Sequence, residues 1–197
     1  VMRPEFIQAV LPEAKVLHVI RDGRAVSASA LKRWSAKHPS SYFMNKLRTV
    51  PVRSLPKLVF GVLKNKFLSK VRGRSYRQSW GSRWVGFDKD VSDLALPTIC
   101  GRQWVKQVET ALKQKELLKA GTYMEVRYED LVSRPKEIFQ EIREFFELGP
   151  DESFDNWVDS MIDGNRTEKW QSDLTEEQLE LVMEESSPLL KRLGYIS

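Results

Sequence analysis

A single cysteine, Cys100, stands in the 197 residues, which excludes an internal disulfide and any zinc site built on cysteines. Histidine is almost as scarce. His18 and His38 do not stand at ligand spacing from Asp88, Asp90 and Asp93, so these carboxylates read as a turn and helix cap and not as a metal centre. No apolar run approaches the roughly 20 residues of a membrane-spanning helix, and no secretory signal pattern heads the chain. No Gly-x-x-x-x-Gly-Lys-Ser/Thr run occurs, which counts against a kinase built on that phosphate loop. Acidic residues are missing altogether from Arg24 to Phe87, where 15 of the 32 Lys and Arg residues fall. The remainder carries 17 basic against 27 acidic residues, so the net charge of +5 hides two oppositely charged parts.

With 41% hydrophobic and 30% charged residues, the composition is that of a soluble globular chain of one domain, able to bury about 70% of its unfolded surface. The chain opens on Val1 and enters a short helical run at Met2 to Phe6, which reads as a piece of a longer protein.

The most informative stretch runs from Ala14 to Ser29. Val16, Leu17, Val19 and Ile20 are apolar and mostly β-branched, which predicts a strand buried on both faces of a parallel sheet. Arg21-Asp22-Gly23-Arg24 breaks the run, and Ala25 to Arg33 contains no Gly or Pro, so a helix can start there. Ligands of open α/β sheets bind beyond the carboxyl ends of strands, where the helix N-terminus offers unpaired N–H groups and partial positive charge. Arg21 and Arg24 add full charges, and Ser27 and Ser29 add hydroxyls one to two turns in. The two readings of this unit are a phosphate site and a plain turn with solvated arginines.

A second stretch has the same grammar: a strand from Thr122 to Tyr128, a turn, and a helix launched after Pro135. Together the two resemble the sulfotransferase family. Arg21 to Val26 with Ser29 is similar to that family's 3′-phosphate-binding segment, an Arg-Asp/Asn-Pro/Gly turn followed eight residues after the Arg by a Ser. Val126-Arg127-Tyr128-Glu129-Asp130-Leu131 with Pro135 resembles its second landmark. Lys169-Trp170, Leu174 to Gln178 and Leu193-Gly194-Tyr195 resemble its C-terminal segment.

The resemblance implies an α/β protein: a partial parallel sheet flanked by helices in a P-loop-NTPase-like sulfotransferase fold, with a helix-rich C-terminal part, as one domain over 1–197 that carries a basic insertion at about 35–98. It implies transfer of a sulfuryl group from 3′-phosphoadenosine 5′-phosphosulfate, without a metal, to a hydroxyl or amine of an acceptor such as an anionic carbohydrate, a protein or a small molecule. Arg21, Ser29 and Arg24 are then expected at the 3′-phosphate, Tyr128 at the nucleotide, and Arg166, close before Trp170, at the nucleotide's 3′ end. The family's Gly-rich 5′-phosphosulfate loop is expected upstream of the Arg21 strand and is not in this sequence. Its catalytic base, a His or Glu, also precedes that strand; only Glu5 and Glu13 stand there, neither on a motif, so the base is unassigned and this chain alone is expected to turn over little. Two compartments remain open: cytoplasmic for a bacterial chain, the Golgi lumen for part of a longer membrane-anchored one. The alternatives are a phosphoryl-transfer kinase of related architecture and a non-catalytic polyanion- or membrane-binding module.

That last alternative rests on the basic stretch. Leu55, Leu58, Val59, Val62, Leu63, Phe67 and Val71 fall at helical spacing, with Lys57, Lys64 and Lys70 away from the stripe. This suits a core-facing helix with a solvated basic face, an acidic-substrate surface, or a membrane-surface contact through 55–71. Aromatic interleaving is thin, so no nucleic acid is expected. Trp80 to Phe87 gathers two Trp, one Phe and two Gly, which suits either a substrate-shaping loop or a loop anchored by its aromatics.

Further elements follow from periodicity and punctuation. A long helix is predicted from Pro97 to about Lys119 with Trp104 in the core, and an amphipathic helix from Lys136 to Leu148 closed by Gly149-Pro150. A short helix spans Asp151 to Asp163, and a last one runs from Thr175, its cap, to Leu193. Gly164 to Gln171 reads as an exposed loop, with a glycosylation sequon at Asn165 to Thr167. His18, inside its strand, reads as a core histidine, and His38 as a surface one.

Overall fold

Both expected strands form, and they are each other's partners. In a computed structural model whose described residues are 4–35, 81–162 and 167–197, β1 (Val16–Ile20) and β2 (Tyr123–Arg127) pair in parallel. Val16 lies opposite Tyr123 and Ile20 opposite Arg127, so both strands end at the same edge. The chain divides into two units, residues 1–31 with 81–197 and residues 32–80, and both strands belong to the first. The basic helix predicted at 55–71, His38 and Trp80 lie outside the described residues.

Helix α1 (Pro4–Val10) precedes β1, and α2 (Gly23–Ser35) follows it after two residues. Then come α3 (Phe87–Asp93) and α4 (Leu96–Lys115). After β2 the chain enters α5 (Tyr128–Ser133), α6 (Pro135–Phe145), α7 (Glu152–Met161), α8 (Trp170–Asp173) and α9 (Glu176–Arg192). Helix α5 replaces the turn that the sequence predicts. It stops because Arg134 stands before Pro135 and is pushed out of the helical region, to φ −133° and ψ 57°.

The two faces of the sheet have separate cores. On one, Ile20 packs with Trp104 and Val108 of α4 and Leu189 and Leu190 of α9. On the other, Val126 packs with Ile138 and Ile142 of α6, with Leu17 and Met124 against them. The expectation that β1 is buried on both faces is met on one face only: His18 and Ile20 are buried, whereas on the other face Leu17 is half-buried and Val19 is 44% exposed. Helix α4 lies close against α9 where Gly101 has no side chain: a Cβ there would come 3.0 Å from the Val182 carbonyl oxygen. Trp104 is in the core as expected.

Local chemistry sets the helix ends. Asp151 caps α7 by accepting the Ser153 and Phe154 N–H groups, and Thr175 with Gln178 forms a complete capping box on α9. The segment after Trp80 is anchored by its aromatics: Phe87 is buried, with Trp84 edge-on to it at 4.7 Å, and Trp84 Nε1 donates to Asp90. Asp90 also accepts from Arg102, which pairs with Glu185 of α9.

Candidate functional site

Two of the residues singled out in the sequence, Arg21 and Tyr128, meet at the edge where β1 and β2 both end. Arg21 follows β1 and Tyr128 follows β2, so parallel pairing in register brings them together. The Arg21 guanidinium lies over the Tyr128 ring, 4.1 Å from its centroid. Stacking uses the face of the guanidinium, so the contact fixes the plane in which its N–H groups lie.

Arg24 is placed differently. Its Nε and Nη2 donate to both oxygens of Asp22, at 2.6–3.1 Å, and its guanidinium lies over Trp170 of α8 at 4.2 Å. Asp22 Oδ1 also accepts the Arg24 N–H at 2.8 Å, the N-cap bond of α2. The Asp22 and Arg24 side chains are only 9% and 18% exposed, so the charge of Arg24 is compensated in place.

Of the two hydroxyls on α2, Ser29 is exposed, whereas Ser27 is buried with no hydrogen-bond partner for its Oγ among the described residues. Ser29 is therefore the accessible one. It sits about 9 Å along the axis from Gly23, two turns into the helix. Arg166 lies outside the described residues.

Sequence reasoning missed what holds the turn. Two consecutive residues, Arg21 and Asp22, each have a backbone atom bonded to a distant side chain, and a hydroxyl stands beside the carbonyl before them. The Ile20 carbonyl oxygen lies 3.4 Å from the Tyr195 hydroxyl, the Arg21 carbonyl accepts Trp104 Nε1–H at 3.1 Å, and the Asp22 N–H donates to Glu129 Oε1 at 3.0 Å. The Tyr195 hydroxyl donates to Glu129 Oε2 at 3.1 Å, and the Tyr195 carbonyl accepts from Arg24 Nη2 at 3.5 Å. Burial, and then the Glu129 carboxylate, push the Tyr195 phenol well above its usual pKa, so it stays a proton donor. At Gly23 the Trp104 indole comes so close that a Cβ would sit 2.6 Å from the ring. Asp22, Arg24, Glu129, Asp130, Thr167 and Trp170 border an open cleft of about 530 Å³, within the size range of small-ligand sites.

Chemically, the edge offers a guanidinium held at the mouth of a helix, an exposed hydroxyl two turns in, and a turn with its backbone fixed. Such a combination suits an anion with several oxygens. Among the described residues no group of three or more His, Cys, Asp or Glu could hold a metal ion. No described helix is long and apolar enough to cross a membrane.

Comparison with known proteins agrees with the motifs. Carbohydrate sulfotransferase 1 of Mus musculus and that of Rattus norvegicus are each 28% identical to this chain over 138 residues, 62% of this chain and 33% of theirs. The chain thus spans about a third of the length of these curated relatives. No solved structure matches it. A family model described as a sulfotransferase domain matches residues 5–194, a span that takes in both βα turns, the Trp170 segment and nearly all of the described helices, and the chain therefore belongs to the sulfotransferase family.

Proposed function

We propose that this chain takes part in transferring a sulfuryl group from 3′-phosphoadenosine 5′-phosphosulfate to a hydroxyl group of a carbohydrate acceptor. The donor is what the family uses, and the acceptor class follows from the carbohydrate sulfotransferases that the chain resembles. The fold reading is the sulfotransferase version of a P-loop-like architecture, to which β1 and β2 contribute two central strands.

The observation that carries the reading is the stack of Arg21 on Tyr128, one residue from each motif, at the shared edge of the sheet. In this reading the Arg21 guanidinium and the Ser29 hydroxyl hold the 3′-phosphate, and Tyr128 holds Arg21 in its orientation. When bound, the donor supplies a sulfur open to in-line attack by the acceptor oxygen; the S–O bond to the 5′-phosphate breaks, and 3′-phosphoadenosine 5′-phosphate leaves. This chain's residues contribute positioning and charge stabilisation. The sequence holds no Gly-rich phosphate loop, so nucleotide binding is expected to outlast turnover in this chain alone.

Calorimetry on folded variants tests the assignment. A charge-assisted hydrogen bond is worth about 1.5–3 kcal/mol and a neutral one about 1. Arg21→Ala should weaken binding of 3′-phosphoadenosine 5′-phosphate by roughly 10- to 100-fold, and Ser29→Ala by about 5-fold. The two losses should be less than additive, because one phosphate is shared. Adenosine 5′-phosphate, lacking the 3′-phosphate, should barely respond; equal losses for both nucleotides would reject the site.

A further inference from the structure

The C-terminal end of the chain reaches the edge of the sheet where Arg21 stands. After α9 the chain turns at Gly194, whose φ is +74°, and Tyr195 drops its ring among residues packed on the Ile20 core. The turn is fastened from outside. Arg127, the last residue of β2, donates to the Leu193 carbonyl and lies over the Tyr195 ring at 5.0 Å.

Tyr195 touches three neighbours of Arg21 at once. Its hydroxyl is 3.4 Å from the Ile20 carbonyl oxygen and 3.1 Å from Glu129 Oε2, and its carbonyl is 3.5 Å from Arg24 Nη2. A phenol has one proton to give, and the nearer, charged acceptor takes it. Glu129, oriented through that bond, accepts the Asp22 N–H with its other oxygen at 3.0 Å. Asp22 in turn grips Arg24, which returns to the Tyr195 carbonyl, so Tyr195, Glu129, Asp22 and Arg24 close a ring around the turn.

We infer that Tyr195 is a positioning residue for the anion site: through Glu129 it holds the Arg21–Asp22 backbone in the one conformation that presents the Arg21 guanidinium to the 3′-phosphate. The inference rests on the proposed role of Arg21 at that phosphate. It assigns the chain's end a part in ligand discrimination, beyond closing the Ile20 core. Removing the hydroxyl leaves the ring, its contact with Arg127 and its backbone bond to Arg24, while releasing Glu129.

Tyr195→Phe in the full chain is the test, with binding of 3′-phosphoadenosine 5′-phosphate and adenosine 5′-phosphate measured by calorimetry beside thermal unfolding. The expected result is a roughly 3- to 10-fold weaker affinity for the first nucleotide and a change under about 2-fold for the second, in a variant that still unfolds cooperatively. A role limited to packing would lower both affinities together, so equal losses, or no loss, overturn the inference. Glu129→Gln, which keeps an acceptor for Asp22 and loses the anion facing Tyr195, should show the same selective loss and carries the test if Tyr195→Phe does not fold. Arg21→Ala run in parallel separates the two ideas. If it abolishes preference for the 3′-phosphate while Tyr195→Phe and Glu129→Gln do not alter it, the positioning role falls and the site stands; if none of the three matters, both fall.

Discussion

Two parallel strands pass the chain to a helix at the same edge of the sheet, and the two turns are built in opposite ways. After β1, Arg21 and Asp22 intervene before the helix, Asp22 and Gly23 are buried, and two successive backbone groups are held by side chains from elsewhere. After β2 the helix starts at once on Tyr128, and Tyr128, Glu129 and Asp130 remain half-exposed. The first turn is shaped; the second does the shaping, through the Tyr128 ring under Arg21 and the Glu129 carboxylate on the Asp22 N–H. Both turns carry Arg and Asp, so composition alone does not separate them. What does is the direction of the long-range bonds.

The hardest way to break the contrast is to put a side chain on Gly23. A Cβ there would lie 2.6 Å from the indole of Trp104, which is itself 3% exposed and cannot swing aside. Gly23→Ala should therefore fall at the upper end of the roughly 1–3 kcal/mol that overpacking costs, lowering the melting temperature by several degrees. Gly149→Ala is the control, since nothing lies within 4 Å of the added carbon. It should change stability by less than about 0.5 kcal/mol. Equal shifts in thermal unfolding would mean that Trp104 does not press on the turn.

A smaller effect compares the same substitution in both turns. Breaking a fully buried ion pair costs roughly 3–5 kcal/mol. Arg24 is 18% exposed and Asn at 22 would still accept the Arg24 N–H, so Asp22→Asn should cost about 1–2 kcal/mol. Asp130 faces Arg134 at 3.8 Å with both side chains about half-exposed. Asp130→Asn should cost under about 0.5 kcal/mol. Urea unfolding of the two variants measures the difference, and a larger loss at Asp130 would invert the roles assigned to the turns.

What could be seen in the sequence is what local chemistry encodes. The apolar run at Val16 to Ile20, the residues flanking Pro135, the Thr175–Gln178 box and the stripe through Ile99, Trp104 and Val108 all express themselves within a few neighbouring positions, and each element is found. Even the Asp22–Arg24 pair had a signal, opposite charges two residues apart in a turn. The phase of α2 did not. Its buried residues include Gly23, Ala25, Ser27, Ala28 and Ala30, too small and too widely spread to outline an apolar stripe, so periodicity did not separate Ser27 from Ser29 and only the resemblance singled out Ser29. The bonds from Trp104 to Arg21 and from Tyr195 to Glu129 span 83 and 66 positions, and no spacing rule reaches that far. Glu129 and Tyr195 were both inside recognised segments, yet only the folded chain assigns them to each other.

The contrast sharpens one layer below the turns, where β1 and β2 contact each other through side chains. His18 Nδ1 and the Tyr123 hydroxyl are 2.6 Å apart, the diagonal pair beside the in-register pair of His18 and Glu125. Tyr123 also reaches Glu125 at 3.2 Å, and Lys115 of α4 stands 3.8 Å from Glu125 and over the Tyr123 ring. Burial lowers the pKa of His18 below 6.5; Glu125 opposes this and Lys115 adds to it. In the unfolded chain His18 takes up a proton as the pH falls through about 6.5, whereas the folded chain resists, so the unfolded state binds more protons. His18 therefore contributes stability that is complete above about pH 6.5 and is lost as the pH falls toward the folded pKa. One group titrating over part of its range makes this the smallest of the three effects. It is read as the difference between wild type and His18→Gln in urea midpoint from pH 7.5 to 5.5, a window chosen to lie above the ordinary carboxylate range of about 4. The wild type should lose stability on acidification more steeply than the variant. Parallel slopes would show that the His18–Tyr123 pair between the strands does not sense the proton.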